Sequence, residues 1–565
     1  MTRVGKCDVC RLRKVKCDEK KPKCGACLKV DRACTYSYGK PSAFVVEDPK
    51  QFSSYGKAKV APLVYPIICH EHVKSGITSR PKPSLTEATE NAENAENSCQ
   101  ISKSNSRPLS SSFPLSRGSI ITSTSSHSNL SLLQPSSPES MLTARFIHLL
   151  GPHLQNPSPF VIDGLWAESI PSRIGHSRVF DLSVEFAIDS FDFYRHATFS
   201  ARKAAMVSKG KALEALRLEL QKMPSFDVLL AIKMHFHSEA FLDFTNRTVC
   251  HLHTKGLFKL LKSGNAALSR DQDYWVFLHG TYIEEVIIAT FMGRPSIFDN
   301  DFYLAATLFG SSSQSLPTIH SVSMSLMHCW IQIPRLVCLF RQARSYSDIS
   351  TLASAVSLAE SLWTLNQVAI IAQYFTATTE IVPLPAGQDI RDILPESLHF
   401  DSVYSLILLT RYWMFQVYLC GLTYSLRTYF PIETATSLLP DIDTIIQVDS
   451  SAATYIAQSL LYALSSCPSL PLVPFRILNP LQASVSSWHR VMMHSDGSSI
   501  SLTGAYDTAD KSCRSRRMIE WIIEESNRVH AKWGFPSAAL WQLERAQEFV
   551  NGGTEWHGLF PIEPF

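Results

Sequence analysis

Six cysteines stand within 28 residues, at Cys7, Cys10, Cys17, Cys24, Cys27 and Cys34. Their spacing, C-x2-C-x6-C-x6-C-x2-C-x6-C, is two copies of C-x2-C-x6-C in tandem. Thiolate sulfur is the ligand that structural zinc prefers, and zinc takes four ligands. One zinc would leave two of the cysteines unused. Two zinc ions need eight ligand positions from six sulfurs, so two thiolates must bridge both metals. The internal repeat favours this symmetric solution, with one bridging cysteine from each half. A disulfide knot is the competing chemistry. The opening MTRVGKCDVC has no apolar stretch of the kind a secretory signal needs. That points to a reducing compartment, where clustered cysteines bind metal more often than they pair.

The segment that carries these cysteines cannot fold by burying a core, because it holds no Phe, Trp, Ile or Met. Metal–ligand bonds must replace that core, at roughly 10–16 kcal/mol of apparent binding energy per structural zinc in small finger peptides. The segment is also basic. Residues 1–40 carry twelve Lys or Arg against four Asp or Glu, a local charge of +8, while the other 525 residues sum to −5. With six thiolates and two zinc ions counted, the head keeps +6. A small basic head on a near-neutral body implies an anionic partner for the head.

Residues 7–34 resemble the fungal binuclear zinc cluster, the six-cysteine DNA-binding module of fungal transcription factors. All six cysteines have the family spacing, RLRKVKC fills the first x6, and Pro22 sits in the loop between the halves. The resemblance implies two Zn2+ ions, with Cys7 and Cys24 as the bridging ligands. Cys10 and Cys17 would complete one site, and Cys27 and Cys34 the other. It also implies a short helix from Cys10 to Cys17, whose C-terminal end enters the major groove of double-stranded DNA at CGG triplets. Guanine offers two acceptors there, N7 and O6, which suit Arg and Lys. Arg13 and Lys14 match the base-contacting positions. Arg11, Lys16, Lys20, Lys21 and Lys23 are placed as phosphate contacts, which orient the module without reading sequence. KKPK at 20–23 also suits nuclear import. The alternative is a zinc-stabilised protein-interaction scaffold of the RING or LIM kind. Those modules use two separate four-ligand sites and need no RLRKVK.

The chain of 565 residues then divides by composition. Residues 1–40 form the cluster. Residues 41–140 are expected to be a Ser-rich disordered linker, with sixteen serines among residues 101–140. Ser137-Pro138 is a candidate proline-directed phosphorylation site. The only heptad-like pattern, Leu85, Ala88, Ala92, Ala95 and Cys99, spans two heptads. That is short of the three or four that specify a coiled coil. A homodimer is therefore not supported by a strong coiled coil.

From residue 141 the texture becomes helical. KGKALEALRLELQKM places Ala212, Leu213, Leu216 and Leu220 on one stripe and stops at Met223-Pro224. Segments 226–244, 273–293, 403–426 and 515–534 have the same character, and the last ends on Gly534 as a cap. Segment 403–426 imitates a membrane span, but Arg411 lies inside it and a charge at bilayer centre is costly. A buried helix is the expectation, with no membrane partner. No repeat of fixed period supports a solenoid. The body resembles the fungal-specific transcription factor domain in KGKALEALRLEL, HTKGLFKLLKSG and EEVIIATFMGRPSIFD. That implies a large all-helical regulatory domain over 141–565, with transcriptional co-regulators as partners.

His235-x-His237 and His251-x-His253 do not share a helical face at that spacing, and Cys69-His70-Glu71-His72 lacks a fourth partner. GxSxG, HExxH, a P-loop and a strand-linked GxGxxG are all missing. The expectation is a nuclear regulator of RNA polymerase II transcription, not an enzyme. By analogy it would control a metabolic or secondary-metabolite gene cluster. The C-terminal TEWHGLFPIEPF mixes acids and aromatics, as an activation segment or a packed tail would.

Overall fold

The computed structural model describes residues 7–34 and 137–553. Interruptions fall at 14, 19, 21, 22, 151–159, 161, 163, 244–246, 263, 265, 309–318, 347, 366–367, 386, 466–471, 498–504 and 552. Most of the expected linker, the heptad pattern at 85–99, the group at 69–72 and the tail at 554–565 lie outside the described residues.

The head holds two short helices, α1 (Asp8–Leu12) and α2 (Gly25–Leu28). Each starts directly after the first cysteine of its half, at Cys7 and at Cys24. Its core is sulfur: Cys7, Cys10, Cys24 and Cys27 are buried together, with Val9, Cys17, Ala26 and Cys34 packed around them. Leu12, Leu28 and Val30 stay exposed. Among the described residues no aliphatic cluster holds this unit, as its composition requires.

The body begins with α3 (Pro138–Leu150), where Ser137 Oγ accepts from the Ser140 amide at 3.1 Å and Pro138 takes the first helical position. Ser137 is thus the cap of the first body helix. There follow α4 (Ile170–Arg173), α5 (Arg178–His196), α6 (Phe199–Glu219), α7 (Phe226–Leu242), α8 (Arg247–Leu261) and α9 (Tyr274–Met292). Next come α10 (Asp301–Thr307), α11 (Ile319–Trp330), α12 (Ile333–Tyr346), α13 (Ile349–Leu365) and α14 (Val368–Thr378). A two-stranded ribbon, β1 (Thr379–Pro383) and β2 (Glu396–Phe400), interrupts the helices. It pairs antiparallel, Ile381 opposite Leu398, and turns Leu398 and Phe400 into the core. The chain closes with α15 (Val403–Tyr429), α16 (Ile442–Gln458), α17 (Leu460–Ser465), α18 (Val473–Gly497), α19 (Ala505–Lys532) and α20 (Leu540–Val550).

Local chemistry sets many of these boundaries. Thr198, Asn300, Ser402 and Asp441 cap α6, α10, α15 and α16 through side-chain oxygens. Gly293 and Gly534 take positive φ just past α9 and α19, which a glycine adopts without strain. The capping role expected of Gly534 fits that geometry, but α19 starts ten residues before the expected 515.

The stripe expected on α6 is only half right. Ala212 and Leu216 are buried, whereas Leu213 and Leu220 are exposed. The buried face of α6 is instead Ala201, Ala205, Ser208, Ala212 and Leu216. Small side chains let α6 lie close on α5, its main partner. The larger leucines point away.

Helix α15 is the centre of the body, packed by α16 and α18. Two stretches, Ile319–Tyr346 and Val403–Tyr429, are long and apolar enough to cross a membrane by length and composition. Their apolar windows are 72% and 94% buried among the other helices. Two threonines of α15 are satisfied within the helix. Thr410 and Thr423 donate to the carbonyls of Leu406 and Leu419 at 2.7 Å. Arg411 donates from Nη1 to the His279 carbonyl on α9 at 2.6 Å. That contact accounts for an arginine on a helix buried almost all round.

A candidate zinc centre and nucleic-acid interface

The helical turn of α1 carries Cys7 and Cys10 toward one point, and α2 does the same for Cys24 and Cys27. Cys7 Sγ lies 3.6 Å from Cys24 Sγ and 3.8 Å from Cys27 Sγ. Cys10 Sγ lies 3.6 Å from Cys24 Sγ and 3.9 Å from Cys27 Sγ. A tetrahedron with Zn–S bonds of about 2.3 Å has S···S edges of about 3.8 Å. The donor set therefore fits zinc in both identity and size.

The sulfurs fall into two overlapping quartets, each with its ligand atoms within 4.8 Å of one another. One is Cys7, Cys10, Cys17 and Cys24; the other is Cys7, Cys24, Cys27 and Cys34. Cys7 and Cys24 are shared. Among the described residues these are the only His, Cys, Asp or Glu groups so placed. Within the body, His235 packs between the rings of Phe186 and His253, each centroid 5.3 Å away. Burial holds its pKa down to about 3, so it is a neutral packing residue. The side chain of His251 lies outside the described residues.

Burial pushes the Cys7 thiol up to about 12 and raises Cys24 and Cys27 as well. The Cys24 amide, donating to Cys34 Sγ at 3.3 Å, holds the Cys34 thiol down. Zn2+ held by these cysteines would supply the charge that keeps such thiols ionised. Two backbone contacts prepare the site. The Cys10 amide donates to Cys7 Sγ at 3.4 Å. The Gly25 amide donates to Asp18 Oδ1 at 2.9 Å, which joins the end of the first half to the start of α2. A Cβ at position 25 would stand 2.8 Å from Asp18 Oδ2, so a larger residue there would have to displace that carboxylate.

The basic residues are arranged differently from expectation. The helix expected from Cys10 to Cys17 lies over Asp8–Leu12 instead. After Leu12 the chain must turn back to bring Cys17 to the sulfur core, and the Val15 amide reaches the Cys10 carbonyl at 3.1 Å across that turn. Only Arg11 is on α1, and its side chain lies outside the described residues. Arg13 is exposed in the turn, and Lys16 and Lys20 are exposed beyond it. Lys14 and Lys21 lie outside the described residues. Lys23 forms an ion pair with Asp31 at 2.8 Å, which ties the inter-half loop to the residues after α2. Sequence reasoning missed this pair and the Asp18–Gly25 contact. Neither has a spacing signature.

Comparison with known families agrees with this geometry. Residues 6–42 match the family described as Fungal Zn(2)-Cys(6) binuclear cluster domain. Searches of curated proteins and of solved structures return no match. Domains of this family bind two zinc ions and DNA, and they are typical of fungal DNA-binding transcription factors, which act in the nucleus rather than as enzymes. The match covers the head only. Metal analysis of the purified full chain is expected to give two zinc ions per chain. A ratio of one would mean that Cys7, Cys10, Cys24 and Cys27 form a single site and that Cys17 and Cys34 stand aside.

Proposed function

We propose that this chain is a sequence-specific, nuclear regulator of RNA polymerase II transcription, and that its head reads CGG-type triplets in the major groove. The observation that carries the reading is the pair of cysteine quartets sharing Cys7 and Cys24 inside a segment of charge +8. In this reading Cys7 and Cys24 bridge the two metals, Cys10 and Cys17 complete one site, and Cys27 and Cys34 complete the other. Residues 1–40 bind DNA, 41–140 link, and 141–565 are a regulatory body that meets co-regulators. A metabolic or secondary-metabolite gene cluster is the target class that the resemblance suggests.

Two kinds of basic residue separate by experiment. Lys14 is assigned to base edges, so Lys14→Ala should cost ~1–3 kcal/mol on a CGG duplex and flatten discrimination among triplets. Lys21 is assigned to phosphate, so Lys21→Ala should weaken every duplex alike and lower the slope of log K against log salt by about 1. Each variant is titrated on CGG and scrambled duplexes across a salt series. If Lys14→Ala weakens both duplexes equally, Lys14 is a phosphate contact and base reading falls to Arg13 or to backbone groups at the helix end. A zinc-stabilised scaffold would bind neither duplex in a salt-dependent way.

A further inference from the structure

A cavity of 280 Å³ opens in the body between the loop joining β1 to β2, the end of α16, α17 and α19. That volume is close to the lower end of sites that take small organic ligands, about 300–1,000 Å³. Its wall is mostly apolar, built by Leu384, Ile390, Leu394, Leu461, Trp521 and Val529. The loop is fastened to α19, where Arg517 Nη2 donates to Asp392 Oδ1 and to the Asp389 carbonyl, each at 3.0 Å.

One polar side chain stands out in this wall. Gln458, the last residue of α16, is 7% exposed. Its backbone carbonyl accepts from Ser397 Oγ at 3.0 Å. Its side chain lines the cavity, and its amide has no hydrogen-bond partner among the described residues. A buried amide left unpaired is costly, so protein interiors seldom keep one. The amide carries an acceptor oxygen and two N–H donors side by side. A carboxamide or lactam edge matches that pattern at two points.

The charges of the wall do not call for an ion. Glu525 is 6% exposed and is held by Arg528 Nη1 from the next turn of α19. Its carboxylate is balanced against a cation and disfavours a second carboxylate beside it. Lys532 is exposed at the mouth, where water weakens any ion pair it could make.

We propose that this cavity binds a small neutral molecule, an apolar body with one carboxamide or lactam edge, which pairs with the Gln458 amide. The site belongs to the helical body and requires nothing of the head. Its occupant would join the β1–β2 loop to α16 and α19.

The test is calorimetric titration of the zinc-loaded full chain with three probes of one shape: cinnamamide, methyl cinnamate and cinnamate. The amide is expected to bind one per chain, at least tenfold tighter than the ester or the acid. Gln458→Leu should weaken the amide at least tenfold and leave the ester within twofold. Leu461→Trp, which fills the cavity from a half-buried position, should remove binding of all three. Helical circular dichroism and the unfolding midpoint of each variant establish that it folds, and Leu464→Phe replaces Leu461→Trp if the latter does not. No amide binding at millimolar concentration, or an ester or acid that binds as tightly as the amide, overturns the proposal. So does amide binding that survives either Gln458→Leu or the filling substitution.

Discussion

Replacing Asp449 with alanine should destabilise the helical body by ~3–5 kcal/mol, the cost of stranding a buried charge. Asp449 on α16 is fully buried and holds Arg490 of α18 in a two-point contact, Nε to Oδ2 at 2.8 Å and Nη2 to Oδ1 at 3.0 Å. Ser487 Oγ donates to Asp449 Oδ1 as well, at 2.5 Å. Arg490 also reaches the Val417 carbonyl on α15 at 3.4 Å. The pair therefore sits where three central helices meet. Without the carboxylate, a guanidinium 8% exposed loses its two-point counter-ion. Urea unfolding of the full chain, followed by helical circular dichroism, measures the effect. The double variant Asp449→Leu with Arg490→Met should regain most of the loss, because paired apolar replacements of a buried ion pair are often neutral. A loss below about 1 kcal/mol for Asp449→Ala would mean that water already reaches the pair.

Cys17→Ala should abolish specific duplex binding and leave the unfolding of the body unchanged. Cys17 belongs to one quartet only, so its loss leaves three sulfurs for that zinc. The head has no aliphatic core to fall back on. With roughly 10–16 kcal/mol resting on each metal, loss of one ligand is enough to unfold so small a unit. Zinc content should fall from two toward one or none, and anisotropy on a labelled CGG duplex should lose its specific phase. A shift in the body's unfolding midpoint would show that the head and body are energetically coupled, against the boundary proposed here.

The metal centre was legible in the sequence because its information is local. Six cysteines at fixed spacings within one short segment state both the ligand type and the count. The helical class of the body was legible for a related reason, as long apolar-periodic runs leave few alternatives. What escaped were features decided by distant partners. The turn after Leu12 comes from the need to return Cys17 to the sulfurs, and helix propensity across Cys10–Cys17 gives no sign of it. The burial of α6 on its alanines depends on close approach to α5, so Leu213 and Leu220 were wrongly placed inside. Arg411 finds its acceptor 132 positions away, at His279. Arg173 gathers Asp227, Asp271 and Asp273 from two other segments. The β1–β2 ribbon, five residues a side, is too short to announce itself by alternation.

The account turns on whether a two-zinc head binds DNA by sequence. Anisotropy of the zinc-loaded full chain on a CGG duplex and a scrambled duplex, before and after chelation and across a salt series, tests this most directly. The expected result is tighter binding to CGG, weakening of both complexes as salt rises, and loss of both when zinc is removed. Binding that ignores zinc, or that fails to distinguish the duplexes at every salt concentration, would contradict it.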